Sequence, residues 1–347
     1  CATPAPVGWI MDYVWVGDCR ASFARILAGE REMEGMYDPR FPDRPVRYID
    51  EDIDPEPILP EIIEISKGCP RRCLFCIHPW RHHYQEAPKE AVMEFVRRHP
   101  KKRLGLMSNS SDDVLFGVEG ASERLRWIVN KPIPRAVLHE KVNLCLRECA
   151  RAQLVYQFNL PGEESSDFDE FEDDLRRLRV GNPKGQLAHT FIPSQPSAHT
   201  PFQWVVPRYS LATQSRIMDL RKSLIGSGKT GMNAYIGTPL GPKRWFAQVI
   251  AEWISITPAV AAAVEKLPQR AEVPEMVQAL DARGVTLPRA FLHRDRDTVF
   301  PWSNVITTGD DADKWKRFAG MQRKLASDRS RGGPLPREYE AVVAEVA

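Results

Sequence analysis

No stretch of this chain is apolar for the roughly 18 residues that a membrane-spanning helix needs, so the sequence offers no candidate span. No secretory or transit leader precedes the first segment that reads as structured. The chain begins at Cys1 rather than Met, which suggests a piece cut from something longer. Internal repeats and low-complexity tracts are missing, which excludes solenoids and biased disordered arrays. Cysteine is scarce and odd in number, seven in 347 residues, with three clustered and the rest scattered. That is not a secreted disulfide framework; it suits a reducing, cytoplasmic setting with a metal site. No Ser/His/Asp or paired-carboxylate constellation can be recognised from spacing alone.

Enough apolar residue remains, 43% of the chain, to bury a sizeable core in one large domain or two. The formal charge of +2 hides an asymmetry. Residues 1–199 carry 27 Lys and Arg against 31 Asp and Glu, and residues 200–347 carry 21 against 15. A basic C-terminal third suits an anionic partner, although a normally solvated surface is the more ordinary reading.

Local pattern predicts alternating strands and helices. Met11–Gly17 reads as a short buried strand and Ala21–Leu27 as a short helix ending near Gly29. Residues 36–60 are rich in proline and carboxylates, and are expected to be a surface linker. Strands are expected at Glu61–Ser66, Arg103–Met107, Val114–Glu119 and Leu154–Leu160. Helices are expected at Lys89–Arg98, Arg135–Arg151, Asp167–Arg179 and Leu211–Leu224. Farther on, Trp245, Phe246, Val249, Ile250, Trp253 and Ile254 form one apolar stripe, expected to be core. Thr257 before Pro258 reads as a helix start. Alternation of this kind argues for a parallel sheet or barrel of the α/β class. One feature disagrees with a complete barrel: only residues 108–113 separate two expected strands, and a parallel crossover needs at least about 10 residues.

The most informative stretch is Glu64–Trp80, EISKGCPRRCLFCIHPW, with Cys69, Cys73 and Cys76 spaced C-x3-C-x2-C. A structural zinc site wants four ligands, usually as two cysteine pairs; here the second pair is missing, although His78, His82 or His83 would complete one. A [4Fe–4S] cluster has four iron corners. Three thiolates leave one iron open to a ligand that the protein does not supply. Free loop histidines are expected to be solvated, and Cys145 and Cys149 simply buried. SLIGSGKTG, Ser223–Gly231, imitates a phosphate-binding loop, but Ser223 stands at the first glycine position and a helix, not a strand, precedes it.

At these residues the chain resembles the radical S-adenosylmethionine (SAM) superfamily, whose signature is C-x3-C-x-aromatic-C after the first barrel strand; Phe75 fills the aromatic position. The resemblance implies a [4Fe–4S] cluster on Cys69, Cys73 and Cys76, with SAM on the free iron and reductive cleavage to a 5′-deoxyadenosyl radical. FGVEGASERLRWIVNK, Phe116–Lys131, resembles the family's fourth-strand segment, which implies that Glu119 and Lys131 face SAM's polar end. LMSNSS, Leu106–Ser111, is similar to the second-strand segment, which makes Ser108 and Asn109 SAM contacts by the same likeness. NLPGEESSDFDEFEDDL, Asn159–Leu175, resembles the G-x-PGE-T segment, with Asn159 in place of the first glycine; for Pro161 and Gly162 plain turn chemistry is favoured. More weakly, Tyr13–Leu27 looks like the tail of a cobalamin-binding domain and Phe300–Gly309 like a C-terminal motif of such proteins, which brings in cobalamin as a further cofactor. The D-x-H-x-x-G cobalamin loop is not in the chain.

The expectation is therefore an α/β protein built on a partial (β/α) barrel. Residues 1–57 would be a short Rossmann-like remnant plus linker, 58–205 the radical SAM core and 206–347 a mostly helical C-terminal region. The expected partners are a reductant such as a flavodoxin or ferredoxin and an anionic substrate of the nucleoside or nucleic-acid-base kind. The other reading left open is a non-catalytic iron–sulfur or zinc binding module.

Overall fold

The computed structural model describes residues 3–54, 64–98, 113–148, 151–181, 186–226 and 234–327. It is a mixed α/β structure. Near the N-terminus, β1 (Val14–Trp15) leads to α1 (Phe23–Leu27), then β2 (Met36–Tyr37) and β3 (Val46–Arg47). β1 pairs antiparallel with β2, where a Rossmann-like unit would begin with parallel strands. The expected linker over 36–60 is structured in its described part. Tyr37, Val46 and Tyr48 are buried with Val14, Val16 and Val305 in a small core of their own. The proline spacing hides this because each strand here is only two residues long, too short for period-2 alternation to register.

The cysteine loop follows. β4 (Ser66–Lys67) and β5 (Gln85–Glu86) pair antiparallel and form its stem, with the single-turn α2 (His78–Arg81) between them. α3 (Lys89–Arg98) comes next, as expected. The expected strand Arg103–Met107, and with it Ser108 and Asn109, lies outside the described residues.

The main sheet has four parallel strands in the order β6-β7-β8-β9. These are β6 (Asp113–Glu119), β7 (Arg151–Phe158), β8 (Gln186–Pro193) and β9 (Ala234–Ile236). Between β6 and β7 run α4 (Glu123–Ile128) and α5 (Arg135–Glu148); α6 (Ser165–Gly181) links β7 to β8, and α7 (Leu211–Gly226) links β8 to β9. Each connection moves one strand along in the same direction. The sheet therefore continues past residue 205 to β9, within a region that is otherwise mostly helical as expected. Among the described residues the sheet is open and does not close into a barrel.

β7 alternates half-buried and buried without a break from Arg151 to Phe158. Its buried set, Ala152, Leu154, Tyr156 and Phe158, joins Leu187 and Phe191 of β8 in the main core. α5 and α6 cover this face: Leu138, Val142, Phe168, Phe171 and Leu175 belong to the same core, and Phe171 meets Tyr156 edge-on at 5.0 Å. The opposite face carries Gln153, Val155 and Gln157, all half-buried, with Ile192 46% exposed.

The rest is helical: α8 (Pro242–Ala251), α9 (Pro258–Glu265), α10 (Val273–Asp281), a short β10 (Val305–Ile306), then α11 (Asp311–Ser327). Trp245, Phe246, Val249, Ile250 and Trp253 are buried as expected. Thr257 caps α9, its hydroxyl accepting from Val260 N at 3.3 Å with Pro258 in the first turn. β10 returns to pair with β3 in parallel, Val305 opposite Val46, so the segment that resembled a C-terminal motif closes the N-terminal ladder. No described helix is long and apolar enough to cross a membrane.

Candidate metal and cofactor site

Glu119 ends β6 in a conformation that side chains avoid. Its φ is +71°, and the register against β7 shifts between Gly117 and Glu119. A bulge re-aims a side chain, and left-handed backbone at a non-glycine residue is strain that the surroundings must hold in place. Here they do. Lys131 Nζ donates to Glu119 Oε1 at 2.9 Å and Gln157 Nε2 donates to Oε2 at 2.7 Å. Gly117 is needed beneath them: a Cβ there would stand 2.9 Å from both Glu119 Oε1 and Lys131 Nζ.

Lys131 is delivered by the turn after α4. Arg126, fully buried, donates from Nε to Ile133 O at 2.9 Å and from Nη1 to Gly120 O at 3.2 Å. Its own carbonyl accepts from Lys131 N at 2.8 Å. Ser122 caps α4 and also donates to Asp167. Arg124 grips Asp167 with two nitrogens and reaches Gly162 O at 2.7 Å. The segments Phe116–Lys131 and Asn159–Leu175, far apart in sequence, are thus tied at one end of the sheet. The turn reading of the second segment holds: Asn159 has φ +64° and Gly162 φ +73°. Asparagine tolerates the left-handed region where the family pattern has glycine.

The cysteine loop lies against this end. Leu74 N donates to Val129 O at 3.1 Å, Phe202 N to Leu74 O at 3.2 Å, and Asn130 Nδ2 to Arg72 O at 3.1 Å. Phe75 packs on Phe202, ring centroids 6.1 Å apart, so the aromatic of the motif is a loop anchor. Trp80, wholly buried, is held from the C-terminal side: Thr308 Oγ1 and Gly309 N both donate to its carbonyl.

Cys73 is buried, and Cys69 and Cys76 are half-buried. Burial pushes the Cys73 thiol up to about 11; Lys131 opposes the rise, and Cys76, Cys69 and Glu119 add to it. Burial also raises Cys76, opposed by the backbone N–H of His78. The Cys73 thiol therefore lies within electrostatic reach of the Glu119–Lys131 pair and of the other two thiols. Among the described residues, the set of three ligand atoms gathered within 4.8 Å is Asp18, Asp50 and His82, not the cysteines. Three thiols on one loop are donors of the type that an iron–sulfur group takes.

The Asp18, Asp50 and His82 group already has its cation. Lys67 Nζ bonds Asp18 and Glu51 O and lies 3.0 Å from Asp50 Oδ1. Asp50 also accepts from His82 Nδ1 at 2.8 Å and from His83 N at 2.8 Å. Burial alone would raise this carboxyl; the bonds from His83, His82 and Lys67 outweigh it and hold it at about 2. His82 is thus not a solvated loop histidine, as expected, but 14% exposed and bonded between Asp50 and Tyr48. The reason is tertiary: Asp50 comes from a segment that read as linker. Cys145 is buried as expected; Cys149 and residues 227–233 of the decoy loop lie outside the described residues.

The structure sets the loop of Cys69, Cys73, Cys76 and Phe75 against the turn that delivers Lys131 to Glu119, and sequence reasoning named all six as candidates. It missed Gln157, Arg126 and the Arg124–Asp167 tie. Gln157 alternates correctly with the buried residues of β7, and that open-face position was the available signal.

No family model matches the chain. It is 21% identical over 293 residues to an uncharacterized protein of Methanocaldococcus jannaschii, the likeness taking in 64% of this chain and 63% of that protein.

Proposed function

We propose that the chain is a radical SAM enzyme core, with a [4Fe–4S] cluster on Cys69, Cys73 and Cys76 and SAM beside it. The observation that carries this reading is the meeting of the three-thiol loop with the Glu119–Lys131 pair at the C-terminal end of β6. Brought together, these are a cluster's thiolates, a carboxylate suited to SAM's ammonium and an ammonium suited to its carboxylate. When bound, the cluster and SAM supply reductive cleavage of SAM and a radical able to attack an unactivated carbon. The protein's part is to hold and orient: Gln157 and Lys131 fix the Glu119 carboxylate, and Gly117 leaves it room. The sequential strand order, with α5 and α6 on one face, supports a strip of a singly wound barrel, whose sites lie at the C-terminal strand ends.

The test is anaerobic reconstitution with iron and sulfide, followed by reduction with and without SAM. Electron paramagnetic resonance reads the cluster and mass spectrometry the 5′-deoxyadenosine. A [4Fe–4S] signal perturbed by SAM, with deoxyadenosine formed and both lost in Cys73→Ala, is the expected result. A tight zinc atom, or a cluster indifferent to SAM, would overturn the enzyme reading in favour of a binding module.

A further inference from the structure

The middle of one face of α11 carries charge of a single sign, with Asp313 one turn before it. Gly320 lies at its middle, and the positions three and four residues away are Lys316, Arg317, Arg323 and Lys324. Residues at those spacings share a helix face, so four cations ring one residue without a side chain. A Cβ at Gly320 would meet the Arg323 guanidinium at 3.8 Å and nothing closer. The other face of the helix is spent on the core, through Trp315, Phe318, Met321 and Leu325.

The charge continues onto the cysteine loop. Arg72, between Cys69 and Cys73, pairs with Asp313 at 2.7 Å, and Arg317 meets the same carboxylate oxygen at 3.2 Å. Both guanidiniums lie over the Trp80 ring, at 5.6 and 5.7 Å. One carboxylate shared by two guanidiniums leaves the junction positive. Arg71 beside it is exposed, as are Lys316 and Arg323. Arg72 and Cys73 are neighbours in sequence, yet Arg72 reaches α11 while Cys73 feels Glu119 and Lys131.

We infer that this face of α11, with Arg71 and Arg72, is the docking surface for an acidic one-electron donor protein of flavodoxin or ferredoxin type. The inference rests on the radical SAM reading, which needs an electron delivered to the cysteine loop. The donor is oxidised by one electron, the cluster is reduced by one, and no atom is transferred. A basic surface that includes the loop's own arginines brings an acidic donor to the loop that carries the thiols. The patch is a convex helix with a single exposed indole, Trp127, lying under Lys324 at 4.7 Å. Single-stranded nucleic acid is held by a succession of exposed rings, so the acidic protein is the better fit.

The test uses the reconstituted chain and its Arg71→Glu/Lys316→Glu/Arg323→Glu variant. Each is mixed with a reduced acidic flavodoxin in stopped flow and, separately, with dithionite. At low salt the variant's second-order rate of cluster bleaching by flavodoxin should fall on the order of tenfold or more, and the difference should fade as salt rises. Dithionite, whose reductant is a small singly charged anion, should lose far less rate than the flavodoxin. Calorimetric binding of oxidised flavodoxin should weaken in parallel. Equal flavodoxin rates and affinities at low salt would overturn the inference, as would a single-stranded oligonucleotide that binds through these residues where flavodoxin does not. If dithionite yields no SAM-responsive cluster in the unaltered chain, the enzyme reading is what fails, and the calorimetry alone decides the surface.

Discussion

The two faces of the four-stranded sheet come from the same strands and have opposite fates. On one, Leu154, Tyr156, Leu187 and Phe191 are buried under α5 and α6. On the other, Gln153 Nε2 donates to Thr190 Oγ1 at 3.2 Å, Gln157 holds Glu119, and Ile192 is 46% exposed. Successive side chains of a strand point to opposite faces, so one run of eight residues supplies both a core and a polar floor. The covered face does the work of stability. The open face ends in the strained Glu119, where a bulge costs stability and gains a fixed carboxylate. With α5 and α6 on the covered face, Gln153, Val155 and Gln157 stay half-buried on the other.

The largest expected effect is on the covered face. Phe171→Ala removes a wholly buried ring that touches Tyr156 and Phe191, and should cost about 3–5 kcal/mol of unfolding free energy in a denaturant titration. Gln153→Ala, on the open face of the same sheet, should cost within about 1 kcal/mol. Equal losses would mean the open face is packed after all.

His189 sharpens the contrast through pH. It lies on the covered face, fully buried, with both ring nitrogens lacking a hydrogen-bond partner. Burial lowers its pKa to about 3. Below the ordinary histidine value the unfolded chain binds a proton that the folded chain refuses. Stability is therefore full above about pH 6.5 and is lost as pH falls toward 3, at up to about 1.4 kcal/mol per pH unit. His189→Phe should flatten that part of the stability–pH curve; an unchanged slope would show that the ring is not sealed in.

Glu119→Gln should have the smallest effect on folding and the most selective one on function. Its carboxylate meets Lys131 in a largely buried pair, but glutamine keeps an oxygen that can accept from Lys131, so the unfolding free energy should change by about 1 kcal/mol. The SAM-induced change in the cluster's resonance spectrum should be lost while cluster content stays. A response to SAM like that of the unaltered chain would remove Glu119 from the site.

Half of the main sheet was legible before the structure: β6 and β7 were expected, whereas β8 and β9 were not. α3 runs Lys89–Arg98 as expected, and β7 and α6 differ from expectation by a few end residues. The short elements were not legible. Two-residue strands at Met36–Tyr37 and Val46–Arg47 carry no periodicity, and β10 pairs with a partner about 260 residues away in the chain. The three thiols and the Glu119–Lys131 segment could be found because each is compact in sequence. Gln157 was missed because its open-face position on a strand marks it as a candidate only, and its partner Glu119 comes from the strand beside it.

By itself the sequence determined the local things: where helices start, as at Thr257 with Pro258; which face of β7 is apolar; and that three cysteines fall on one loop. Spacing and side-chain chemistry are enough for those. Only the tertiary structure decided that Asp50 would clamp Lys67 and His82, that Arg124 would join Asp167 across two motifs, and that Glu119 would be turned by a bulge onto Lys131 and Gln157. Each of these is a contact between segments distant in the chain. A short-range pattern cannot encode which distant partner will desolvate a charge, and the fold must bring the two together before either has a defined role.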